Sequence, residues 1–224
     1  MSFFVTPTVN DWGETVYMPT TAGYTALVLL MVGAFLIGIA LFGGKKRSSA
    51  RQVTFSALAI ALATVTSMIK IIHMPMGGSV TLLSMVFIVL IGYWYGLGAG
   101  LTAAFAYGVL QLVIDPYILS FPQMLVDYIF AFTALGLSGI FSQKKHGLIK
   151  GYILAVLGRY FFAFLSGWIF FGSYASDYGF KSGVIYSLAY NGAYLGLEAL
   201  ITLIIIAVPI VSTALNRVKK MALE

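Results

Sequence analysis

The chain has 224 residues, 60% of them hydrophobic and 9% charged, a net charge of +6 and no cysteine. This balance excludes a soluble domain, which would lack polar surface to face water, and it excludes a disulfide or thiolate-metal framework. The positive charge does not point to nucleic acid either, because the basic residues sit at the ends of apolar segments, where they act as a topology signal.

The start is not a secretory signal peptide: it lacks a basic n-region, and Lys45, Lys46 and Arg47 follow the first apolar run. The pattern predicts an all-α integral membrane protein of seven helices, several of them near the ~20 residues a hydrocarbon core requires. An extra N-terminal transmembrane helix is predicted over 22–43, and a six-helix core over 51–71, 79–91, 94–114, 120–141, 149–172 and 184–216. The second core helix is short, and Pro209 is placed to kink the last. Residues 1–50 then form an extracellular tail, the extra helix and a basic cytoplasmic linker, and residues 51–224 form the membrane core with a short tail.

Charge sets the orientation. Lys45, Lys46, Arg47 and Arg51 lie in one loop, Lys144, Lys145 and Lys150 in another, and Arg217, Lys219 and Lys220 in the tail; together they hold ten of the 13 Lys and Arg. The predicted helices place these clusters on one side, expected to be cytoplasmic. Asp11, Glu14, Asp115 and Asp177 fall on the other side. The N-terminus is thus expected outside and the C-terminus inside.

Small residues are patterned as well. Gly92, Gly96, Gly100, Ala104 and Gly108 recur every fourth position, and Ala57 with Ala61 and Ala59 with Ala63 make two interleaved pairs on the first core helix. Such stripes let helices approach closely. Internal packing and docking to a partner membrane protein are both open readings.

Asp127, Arg159 and Glu198 lie well inside core helices, and charges at that depth are functional candidates. Asp127 lies roughly 10 Å below the outer end of its helix, and Arg159 and Glu198 both roughly 20 Å deep, at 1.5 Å per residue. The shared depth predicts a structural ion pair between Arg159 and Glu198. It leaves Asp127 unpaired near the outer face, where a solute can reach it. Tyr117, Gln123 and Tyr128 flank Asp127; Trp168, Phe170, Phe171 and Tyr174 end the fifth core helix; Tyr186, Tyr190, Asn191 and Tyr194 begin the sixth. An interfacial aromatic belt explains many of these rings, but not the Asp, Asn and Gln at the same depth. A carboxylate among aromatic faces suits a small flat cation. The turn "MPMGGSV", Met74 to Val80, reads as a lid or as a tight turn.

An enzyme is not expected. No HExxH, GxSxG or Walker loop is present, and His73 and His146 lie in loops on opposite sides, so no catalytic residue, metal site or cofactor is predicted.

The runs "HMPMGGSVT", "YGVLQLV", "DPYILSFPQMLVDYIFAFTALGLSGIF", "SGWIFFGSYA" and "VIYSLAYNGAYL" resemble, in order, the thiamine-specific substrate-binding membrane subunit of energy-coupling factor (ECF) transporters. The likeness covers residues 51–215. It implies a six-helix core that binds thiamine near the outer face, and partners: a transmembrane coupling subunit and two ABC-type ATPases. Carried over by motif, Asp127 takes the place of the family's acidic ligand and Tyr128 follows it. Tyr117, Tyr186 and Asn191 match binding positions, and Phe171 falls where some members have a stacking Trp. Gln123 and Trp168 join this ligand-binding set from their place beside it. Gly77, Gly78 and Ser79 correspond to the lid loop, and Ala57, Ala59, Ala61 and Ala63 resemble the docking motif for the coupling subunit. Ala163 departs from the pattern, standing where members carry a His that contacts the ligand, and the extra helix lies outside it. The expectation is a multi-pass protein of a bacterial cell membrane, monomeric when alone, that takes up thiamine only with its ATPase module. A related subunit for a pyridoxine-like or hydroxymethylpyrimidine-like molecule stays open. So does a stand-alone proton-coupled transporter using Asp127 or Glu198, or a scaffold without ligand.

Overall fold

A computed structural model describes residues 3–9, 15–23, 25, 26, 29, 33, 37 and 48–224. Most of the helix expected over 22–43, and Lys45, Lys46 and Arg47 after it, lie outside the described residues. Ahead of it, β1 (Val5–Val9) and β2 (Thr15–Pro19) pair as an antiparallel hairpin.

The core opens with α1 (Ala50–Ser67), whose N-terminus is capped by Ser49 accepting from the Gln52 N–H. The sequence pattern extends this helix to residue 71 and starts the next at 79. The chain instead forms an antiparallel hairpin, β3 (Lys70–His73) and β4 (Ser79–Thr81). Ile71, Ile72, Val80 and Thr81 are β-branched and suit a pleated edge. Pro75 starts the connecting turn, and Met76 and Gly77 close it with positive φ.

α2 (Ser84–Tyr95) follows. It is apolar on every side and buried on nearly every side, with Met85, Ile88, Val89 and Ile91 fully enclosed, as expected of a central helix. It packs against α1, α3 (Leu97–Ile114), α4 (Phe121–Phe141) and α5 (Gly147–Phe171). Its 12 residues rise only about 18 Å, against roughly 30 Å of hydrocarbon. The bundle beyond its N-terminus is therefore left to the hairpin and a cavity.

α3 and α4 touch through small residues. A Cβ on Gly108 would stand 2.2 Å from the Tyr128 carbonyl oxygen, and one on Gly136 2.4 Å from the Leu101 nitrogen. The stripe expected on one helix is split by the break at Gly96: Gly92 lies on α2, and Gly92, Gly100 and Gly108 are internal packing, while a Cβ on Gly96 would meet no neighbour among the described residues. α4 is not uniform: Leu125–Phe130 winds as a wide π turn and Ala134–Phe141 as a tight 3-10 stretch. α6 (Gly183–Ala207) packs along α5.

The predicted kink at Pro209 is present. Val208, with ψ 126, breaks the helix, and α7 (Pro209–Leu223) turns back against α1 and α2. The Tyr95 hydroxyl donates to the Ala222 carbonyl at 3.0 Å, and Lys219 donates to the Ser142 carbonyl at 3.1 Å. The basic tail and the loop around Lys144 therefore share one end of the bundle. Among the described residues, α3, α4, α5 with its extension to Ala175, and α6 are long and apolar enough to cross a membrane.

On α1 the two alanine pairs separate. Ala59 and Ala63 are 4% and 0% exposed in the core, while Ala57 and Ala61 are exposed. Residues two apart on a helix point about 200° apart, so both pairs cannot share one docking face. Ala59 and Ala63 are packing residues.

Candidate functional site

A cavity of about 310 Å³ lies between the hairpin, α3, α4, α5 and α6. α5 and α6 each present a row at a spacing of four: Arg159, Ala163, Gly167 and Phe171 on one, Tyr186, Tyr190, Tyr194 and Glu198 on the other. Residues four apart lie on one helical face, so each row forms a wall.

Asp127 reaches this cavity from the π turn of α4. A wide turn of this kind displaces a side chain from the regular register and recurs at functional sites. Its Oδ2 accepts from Gln123 Nε2 at 2.7 Å and from Ser166 Oγ at 2.8 Å. Among the described residues Oδ1 accepts no hydrogen bond. Gln123 is 1% exposed and also holds the turn after α3, accepting from the Leu119 N–H and donating to the Tyr117 carbonyl. The Tyr128 hydroxyl grips the same turn, donating to the Asp115 carbonyl and accepting from the Tyr117 N–H. Tyr128 lines the cavity with its ring while its hydroxyl serves the backbone.

Apolar rings close the far side. Tyr117 and Phe171 face each other with centroids 5.9 Å apart, and Tyr186 and Tyr190 at 5.7 Å. Asn191 lines the wall, accepting from the Tyr194 hydroxyl at 3.1 Å while its amide donates back to Ser187. The hairpin tip covers this cluster. Tyr190 accepts from the Gly78 N–H at 3.0 Å and donates to the Pro75 carbonyl, and the Tyr186 hydroxyl meets the Met76 sulfur at 2.8 Å. Gly77, Gly78 and Ser79 all line the cavity.

Two placements differ from the sequence expectation. Trp168 points away: it is 48% exposed and stacks on Phe164, so it lines no part of the cavity. Arg159 and Glu198 line the same cavity but form no ion pair. The ion pair found among the described residues is Lys70 with Asp115, 2.6 Å at the mouth. The Arg159 guanidinium lies 4.1 Å over the Phe132 ring. Glu198 is only 2% exposed, and its carboxylate is occupied by Thr81 and Ser84. Equal depth does not make them partners, because the Glu198 oxygens are taken by Thr81, Ser84 and Met85 while Arg159 lies over Phe132.

Ser166, Thr81, Ser84, Tyr107 and Gln111 escaped the sequence reading. Ser166 sits on the α5 face of Arg159 and Ala163, so helical spacing from Arg159 was its available signal. The others lie on segments whose inward face cannot be told from an apolar pattern. No cluster of His, Asp and Glu with metal-holding geometry occurs among the described residues.

The sequence profile of the family described as "Thiamine transporter protein (Thia_YuaJ)" matches residues 53–217. A curated relative, the thiamine transporter ThiT of Bacillus subtilis (strain 168), is 38% identical over 157 residues, covering 62% of this chain and 78% of the relative. A solved structure of ThiT from Listeria monocytogenes superposes with a TM-score of 0.60 at 24% identity, covering 77% of this chain and 94% of that one; at that identity it speaks for the fold.

Proposed function

The chain belongs to the thiamine transporter protein family, and from that premise we propose that it binds thiamine in the cavity between α4, α5, α6 and the β3–β4 hairpin. The family is one of transporters rather than enzymes. The observation that carries the reading is Asp127: a carboxylate held through one oxygen by Gln123 and Ser166, with the other oxygen free of partners among the described residues, in a cavity walled by aromatic rings. Thiamine is a permanent cation with a flat aminopyrimidine ring. It offers the charge and donors that Asp127 lacks, and faces that stack on Tyr117, Phe171 and Tyr186.

In this reading Tyr128 and Gln123 hold the turn that shapes the site, and Asn191 supplies an amide to its wall. The tip at Gly77 to Ser79 acts as the lid. Ala163 leaves open space on the α5 wall. Uptake is powered by partners, a transmembrane coupling subunit and two ABC-type ATPases, which dock on the exposed Ala57 and Ala61 face of α1. Orientation follows from the shared end of the basic tail and the Lys144 loop, which is cytoplasmic. The N-terminus then lies outside.

Titrating the purified chain with thiamine, pyridoxine and hydroxymethylpyrimidine tests the ligand. Saturable binding of thiamine in preference to the other two is expected, and preference for either of the others shifts the assignment. Vesicle uptake tests the partners. Thiamine accumulation should need ATP and the coupling module; accumulation by the chain alone under a pH gradient would refute the energised-subunit reading.

A further inference from the structure

Glu198 is a buried carboxylate in a membrane helix that the ligand reading leaves without a task. All four hydrogen bonds it accepts come from one short segment. Its Oε2 accepts from the Thr81 N–H at 3.0 Å and the Thr81 hydroxyl at 2.7 Å. Its Oε1 accepts from the Ser84 hydroxyl at 3.3 Å and the Met85 N–H at 3.4 Å. Between these two pairs lies Leu83, with φ 60, a left-handed backbone that a branched side chain rarely adopts. Such a position persists only where the surroundings hold it. One carboxylate thus straddles the joint between the hairpin and α2, and its charge also faces the N-terminal N–H groups of α2, where a negative group is favoured.

The rest of the hairpin is held by the same helix face. Tyr190, two turns before Glu198 on α6, holds Pro75 and Gly78, and Tyr186 holds Met76. α6 is therefore a rail: tyrosines seat the tip of the hairpin, and Glu198 fixes its base. The tip contacts are made by neutral hydroxyls, whereas the base is charge-assisted and deeply buried.

We propose that Glu198 is a positioning residue that anchors the β3–β4 hairpin at its base and so sets how fast ligand enters and leaves, acting through Thr81 rather than by contact with the ligand. This rests on the cavity being the thiamine site, but the anchoring itself does not need ligand to be seen.

Four variants, Glu198→Ala, Thr81→Val, the pair of them and Glu198→Gln, are compared with the unchanged chain in two measurements. Hydrogen exchange of the ligand-free protein should show amides of residues 70–82 exchanging about tenfold faster or more in Glu198→Ala and in Thr81→Val, with α3 and α5 unchanged. Dissociation of labelled thiamine should speed up by about tenfold or more in Glu198→Ala, with a smaller increase in Thr81→Val and no further increase in the pair. Glu198→Gln, which can still accept from Thr81, should recover most of the slow rate. Faster dissociation in Glu198→Ala with Thr81→Val unaltered, or with the two effects additive in the pair, would mean direct ligand contact and would overturn the proposal. Uniformly faster exchange across all helices would overturn it too, as would an unchanged hairpin. If the unchanged chain binds no thiamine, the functional reading fails while the exchange result still decides the anchor.

Discussion

Asp127 and Glu198 line one cavity from different helices, and both are carboxylates inside membrane helices, yet their surroundings differ. Asp127 is held through Oδ2 alone, by Gln123 and Ser166. Glu198 has both oxygens engaged by the segment Thr81 to Met85. A buried acceptor is tolerated when it is hydrogen-bonded, and the two residues meet that demand differently. Glu198 meets it within the fold. Asp127 meets half of it, leaving Oδ1 without a donor among the described residues. The lesson is that charge at depth marks a candidate, and the inventory of donors around each oxygen separates a carboxylate the fold satisfies from one it leaves open.

Several substitutions would break or sharpen this contrast, each read by thiamine titration of folded, monodisperse protein. The largest effect is expected from Ala163→Phe, which grows a ring into the cavity from the α5 wall beside Asp127 and should abolish saturable binding. Retained affinity would place the ligand elsewhere. Ser166→Ala removes one of the two donors that orient Asp127, and affinity should fall about tenfold, in line with the value of a hydrogen bond to a charged group. Phe171→Ala removes the ring facing Tyr117, with an expected weakening of about three- to tenfold for a lost aromatic contact. Trp168→Ala should change affinity by less than about twofold, because an exposed substitution away from the site is near neutral; a loss comparable to Phe171→Ala would contradict the outward placement.

The same contrast explains what the sequence could reveal. Asp127 stood out because a charge in an apolar run needs a reason, and its neighbours in the motif lay close along the chain. The helical core was legible for the same reason, as apolar runs separated by basic loops. Azimuth was not legible. In a soluble helix the polar face shows which side is inside, but here both faces are apolar, so Ala57 and Ala61 could not be told from Ala59 and Ala63, nor Trp168 from Phe171. Depth arithmetic placed Arg159 and Glu198 at one level and said nothing of which way each points. The β3–β4 hairpin is hidden because Ile71, Ile72 and Val80 continue the apolar pattern of the flanking helices, and the "HMPMGGS" between them reads as a helix-connecting loop. β4 packs against α6 with Val80 buried, whereas Ile71 and Ile72 of β3 are exposed.

The central claim is that the free oxygen of Asp127 is the negative contact for the ligand, while Glu198 is architectural. Its most direct test is a calorimetric titration of thiamine into Asp127→Asn and Glu198→Gln side by side. Each variant keeps shape and removes charge. Losing one partner of a buried charge pair costs about 2–5 kcal/mol, so Asp127→Asn should weaken binding by roughly 30- to 4,000-fold with its melting temperature little changed. Glu198→Gln should stay within about threefold, since its acceptor for Thr81 remains. Affinity preserved in Asp127→Asn, or an equal loss in both variants, would contradict the account.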